Sequence, residues 1–109
     1  MKKLSAAEVV ELTRRHELSV IHFDCDWDGY RLELGALLRE LEARFQGEVG
    51  FGYVDPDQET EYCAQVQLLN VPAVGYYRGT ELQTIVIGKE QDVAGNIDRL
   101  RAGRPIVVA

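Results

Sequence analysis

The stretch Cys25-Asp26-Trp27-Asp28-Gly29-Tyr30-Arg31 gathers a thiol, two carboxylates, an indole, a phenol and a guanidinium within seven positions. His22 and Asp24 stand just before it, and Cys63 is the chain's other thiol. Three chemistries use such groups: metal ligation, thiol attack and ion pairing. Strand alternation puts His22 and Asp24 on one face and Cys25 on the other. A metal site needs convergent ligands, and a third is not evident here. A hydrogen-bonded core histidine is therefore expected, with no metal and no cofactor. Cys25 and Cys63 are the candidate thiols. Each reads as a small, semi-buried hydrophobe or as a lone reactive group. A redox pair requires a fold that brings them together. Asp28 and Arg31 lie three residues apart, so on a helix they share a face. The plainer reading is a helix cap with a surface ion pair. The other is a polar hook for a partner peptide.

The elements that must position these groups follow from pattern. Ser5-Ala6-Ala7-Glu8 has capping-box spacing, and Val9, Val10 and Leu12 give an apolar stripe, so a helix is expected from about Ala6 to His16. Leu18 to Phe23 is short, mostly apolar and uncharged, as a strand buried on both faces requires. Tyr30 to Phe45 carries Leu34, Leu37, Leu38, Leu41 and Phe45 at helical spacing, ending near Gly47. Val49 to Val54 reads as a strand; Asp55-Pro56-Asp57 stops it and opens a short helix through about Val66. Ala73 to Tyr77 and Leu82 to Ile87 read as a hairpin turning at Gly79. Of Tyr76 and Tyr77, one is expected in the core and the other at the surface. Glu90 to Ala102 is a last helix, stopped by Gly103 and Pro105. The order is α-β-α-β-α-β-β-α. Its βαβ part implies parallel strands and its hairpin antiparallel ones, giving a mixed sheet with helices on both faces.

The 109 residues suit one domain, residues 1–109 with a tail at 104–109. The chain is 46% hydrophobic, enough for a packed core. A net charge of −6 argues against nucleic acid or an anionic membrane as the main partner. Lys2 and Lys3 open the chain as in a signal peptide, but Glu8 and Glu11 interrupt the apolar run that should follow. A cytoplasmic location is expected. Two cysteines make no disulfide framework.

This order, with these punctuation marks, resembles the thioredoxin fold across roughly Ser5 to Gly103. Trp27-Asp28-Gly29-Tyr30-Arg31 stands where that family has Trp-Cys-Gly-Pro-Cys. Val71-Pro72-Ala73 matches its cis-proline segment, Gly88 its glycine after the last strand, and Asp57-Gln58 a pair that often follows the third strand. The departures concern chemistry. Asp28 fills the nucleophile position and Arg31 the resolving one. Tyr30 replaces the proline between the cysteines, and His22 the buried Asp beneath them. In the family, the first cysteine sits at a helix N-terminus that favours its thiolate. A carboxylate performs no thiol–disulfide exchange, so the resemblance implies the fold without that activity.

The expectation is then a non-redox protein-binding or chaperone-like module and not a dithiol oxidoreductase. Non-redox relatives of this kind assist maturation or assembly of other proteins. The resemblance implies a peptide-docking surface at Trp27, Asp28, Arg31, Val71, Pro72 and Gly88, with Pro72 cis and the Val71 backbone open to an extended chain. The alternative is a thiol-dependent oxidoreductase or peroxidase using Cys25, Cys63 or both. A third reading is a structural homodimer, with the apolar tail Ile106-Val107-Val108 adding to a sheet edge.

Overall fold

The computed structural model of the protein describes residues 1–25 and 31–108, with side chains for 1–25 and 33–108. The elements in chain order are α1 (Ala6–Arg15), β1 (Leu18–Phe23), α2 (Arg31–Arg44), β2 (Val49–Val54), α3 (Thr60–Gln65), β3 (Ala73–Arg78), β4 (Glu81–Ile87) and α4 (Val93–Arg101). The capping box opens α1: Ser5 Oγ accepts the Glu8 N–H at 3.2 Å, and Glu8 Oε1 accepts the Ser5 N–H at 3.0 Å. Val9 and Leu12 of α1 are buried, but Val10 is exposed, because its place one residue from Val9 turns it about 100° off the stripe. Asp92 caps α4, its Oδ1 accepting the Gly95 N–H at 3.0 Å.

The sheet has strand order β2-β1-β3-β4. β1 pairs parallel with β2 (Leu18 opposite Val49, Phe23 opposite Val54) and antiparallel with β3 (Leu18 opposite Arg78, Phe23 opposite Ala73). β4 returns antiparallel to β3 through Gly79, whose φ of +55° suits the tight turn. Along β2 the outer edge is met by the N-terminal segment: Leu4 N–H donates to the Tyr53 carbonyl and Tyr53 N–H to the Lys2 carbonyl. A Cβ on Gly52 would stand 2.3 Å from Leu4 Cδ1, so any side chain there would push Leu4 out of its seat over β2.

Two cores result, one on each sheet face. Leu34, Leu38 and Leu41 of α2 and Phe45 just after it, with Val93, Ile97 and Leu100 of α4, cover Val20, Phe51, Val74, Tyr76 and Val86. Leu4, Val9, Leu12 and Cys63, from the side of α1 and α3, cover Ile21, Phe23, Val54 and Tyr77. In the central strand β1, consecutive residues therefore all find a core, and every one of them is buried, whereas the edge strand β4 buries only Val86 fully. The same geometry corrects the reading of the tyrosine pair. Tyr76 and Tyr77 are both buried, on opposite faces, because helices cover both. No helix among the described residues is long and apolar enough to cross a membrane.

Candidate functional site

Trp27 and Asp28 lie outside the described residues, and so does the side chain of Arg31. The expected cap and ion pair lie there too. What surrounds the corner is described, and it divides by sheet face. Towards α2, His22 Nε2 is 3.3 Å from Asp24 Oδ2, and both side chains are buried. Asp24 Oδ1 accepts the Cys25 N–H at 2.8 Å. A Cβ on Gly35 of α2 would lie 4.0 Å from His22 Cε1, so the imidazole sits beneath the first turns of that helix. His22 and Asp24 share a face, as alternation expects.

On the other face are the thiols. Cys25 and Cys63 are both buried, and neither is in a disulfide. The Cys25 Sγ and one carboxylate oxygen each from Asp55 and Asp57 lie within 4.8 Å of one another. The parallel register explains the meeting. Phe23 lies opposite Val54, and the Asp24 N–H donates to the Val54 carbonyl at 3.2 Å, so the residues just past both strand ends are neighbours. Asp55 is held in place: its Oδ1 accepts the Asp57 N–H at 2.9 Å, and Lys3 Nζ is 3.9 Å from its Oδ2. Sulfur with two carboxylates is a donor set that a divalent metal takes, but it offers three atoms where closed structural zinc sites use four. Electrostatically the cluster acts against thiol chemistry. Burial first, then Glu59, Asp55 and Cys25, pushes the Cys63 thiol up to about 11. Cys63 is thus a neutral thiol near pH 7 and a weak nucleophile. Sequence reasoning did not place Asp55 and Asp57 beside Cys25; the signal was the Asp-Pro-Asp run directly after a strand parallel to β1.

The third part of the region precedes β3. The Val71–Pro72 peptide is cis. Pro72 is buried, Val71 half-buried, and Leu69 is 85% exposed. Pro72 carbonyl accepts the Gly88 N–H at 2.8 Å, which ties the start of β3 to the end of β4. Gly88 has φ +112°, and Gln91 Nε2 donates to its carbonyl at 2.7 Å. The Val71 N–H is not open, contrary to expectation: it donates to Asn70 Oδ1 at 2.9 Å. A short polar side chain next in sequence closes that ring locally, as Asn does in turns. Leu69 was absent from the expected surface, and the pair Leu68-Leu69 does not by itself say which leucine is left exposed.

No family model matches the sequence, and no curated protein matches it. Solved structures do. A mutant thioredoxin from Halobacterium salinarum NRC-1 superimposes with TM-score 0.78 at 19% identity, over 97% of this chain and 94% of that one. Plasmodium falciparum thioredoxin gives 0.77 at 18% identity, over 96% of this chain and 100% of that one. A designed protein gives 0.72 at 26% identity, over 93% and 90%. At this level of identity the likeness speaks for the backbone and not for a reaction. By strand order, helix placement and these superpositions, the chain has the thioredoxin-like fold.

Proposed function

We propose that the chain is a protein-binding or chaperone-like module that performs no dithiol–disulfide exchange. One observation carries this reading: Asp28 and Arg31 stand at both positions where the resembled family has cysteine. Neither group can form a mixed disulfide. The remaining thiols are buried, and Cys63 is held protonated near neutral pH. The client is an extended segment of another protein, in the cytoplasm, with neither nucleic acid nor membrane as partner. It docks along Val71, Pro72 and Gly88, with Trp27, Asp28 and Arg31 at the corner and exposed Leu69 adding apolar area. Its backbone displaces Asn70 Oδ1 from the Val71 N–H.

A second reading has its own observation. Cys25 and Cys63 are both buried free thiols, and the charge of Cys25 adds the smallest of the contributions that raise the Cys63 thiol. That would suit a thiol oxidoreductase or peroxidase. One experiment separates the two: insulin reduction with dithiothreitol, run beside capture of clients. The binding reading expects no turnover above the dithiothreitol background, and client capture that falls in Trp27→Ala and Leu69→Ala. Turnover abolished in Cys25→Ser would overturn it in favour of the second.

A further inference from the structure

The backbone groups that lead into β3 have different fates. Ala73 is paired on both sides, opposite Phe23 of β1 and Ile87 of β4. Pro72 has no N–H, and its carbonyl accepts the Gly88 N–H at 2.8 Å. The nearest N–H before β3 is that of Val71, and it donates at 2.9 Å to Asn70 Oδ1 at the surface. This acceptor is an amide carbonyl, the same kind of group that the backbone of an incoming extended chain offers. The Asn70 side chain thus stands where a client carbonyl would stand. Asn70 is exposed, so its amide passes to water when another carbonyl takes the Val71 N–H.

Exchange of one carbonyl for another gains little. The Val71 N–H has one acceptor before and after, and the released Asn70 amide is satisfied by water. Main-chain hydrogen bonds give affinity in strand addition, but at Val71 that gain is cancelled by the bond already made. Apolar area has to supply it instead. Leu69 precedes Asn70 and is exposed. Val71 follows and packs, half-buried, on the core that holds Phe23 and Cys63. Covering a leucine side chain contributes more than the difference between two carbonyl acceptors.

We infer that Asn70 is a built-in competitor for the Val71 N–H that restricts docking to extended segments laying a large apolar side chain on Leu69, a role that rests on Val71 and Pro72 being where clients dock. A polar extended chain brings the same carbonyl and nothing beyond it. The competitor makes the site choose by side chain, where backbone pairing alone would accept any sequence.

Two synthetic peptides serve as probes: acetyl-Lys-Val-Leu-Val-Lys-amide and acetyl-Lys-Ser-Ser-Ser-Lys-amide, equal in length and charge. NMR titrations of the full chain and of its Asn70→Ala variant follow the Val71 amide resonance. Without peptide, this amide should exchange with solvent faster in Asn70→Ala than in the unaltered chain. The unaltered chain should bind the apolar peptide and not the serine peptide over the same concentrations. Asn70→Ala should bind the apolar peptide about threefold to tenfold more tightly, the release of roughly one net hydrogen bond, and should begin to take the serine peptide. Leu69→Ala should bring the apolar peptide down to the level of the serine one. Equal amide exchange, or equal affinity for the apolar peptide, in the unaltered chain and Asn70→Ala refutes the competitor and leaves docking at Val71 standing. Equal binding of both peptides by the unaltered chain refutes the selectivity. If neither peptide moves the Val71 resonance even in Asn70→Ala, docking at Val71 itself fails and the role of Asn70 with it.

Discussion

The hydroxyls of Tyr62 and Tyr77 lie 2.6 Å apart, joining α3 to β3 beside Cys63. Tyr77 is buried, and Tyr62 is half-buried and stacked on Phe23 with ring centroids 6.5 Å apart. Burial raises both phenols above their ordinary range, Tyr77 far more than Tyr62. Each hydroxyl is the other's route to satisfaction inside a largely apolar cluster.

The two phenylalanine variants should therefore differ. Tyr62→Phe strands the Tyr77 hydroxyl in the core and is expected to cost about 1–3 kcal/mol. Tyr77→Phe leaves the Tyr62 hydroxyl nearer to water and should cost less. The double variant should cost less than the two single costs added, since it removes both polar groups together. Urea titration of the four proteins measures this. Equal and additive losses would mean that the bond contributes nothing beyond packing.

Cys63 supplies a pH prediction. Its thiol is raised from an ordinary 9.0 to about 11, so between these values the folded chain holds a proton that the unfolded chain has released. Stability from this group is present in full below about pH 9 and is lost as pH rises towards 11. Denaturant midpoints from pH 7 to 11 should fall over that window, and Cys63→Ala should flatten the fall. Alkylation of Cys63 in the native chain should be slow at pH 8 and accelerate towards pH 11. Rapid labelling at pH 8 would contradict the buried, negatively surrounded thiol described here.

The buried contact of His22 with Asp24 gives a third prediction. Asp24→Ala removes a neighbour of the imidazole and the acceptor of the Cys25 N–H, and should cost about 1–3 kcal/mol. Asp24→Asn keeps a side-chain oxygen for that N–H and should cost less. Thermal unfolding of both variants decides; an alanine variant as stable as the asparagine one would remove Asp24 from the account of the corner.

Local pattern made much of the fold legible in the amino-acid sequence. Leu18–Phe23 and Val49–Val54 occupy the expected bounds, and Ser5 with Glu8 forms the expected capping box. Such features depend on neighbours within about four positions, so composition and period reveal them. The loss of both family cysteines at Asp28 and Arg31 is likewise a matter of residue identity. Tertiary structure alone decided the rest. The burial of Tyr76 and Tyr77 together depends on helices that arrive from distant parts of the chain. Cys25 meets Asp55 and Asp57 because β1 and β2 pair in one register, which neither strand specifies alone. Asn96 meets Val107 because Gly103 turns the chain back over α4. Periodicity says which side of an element faces inward; only the packing of all the elements says what it faces.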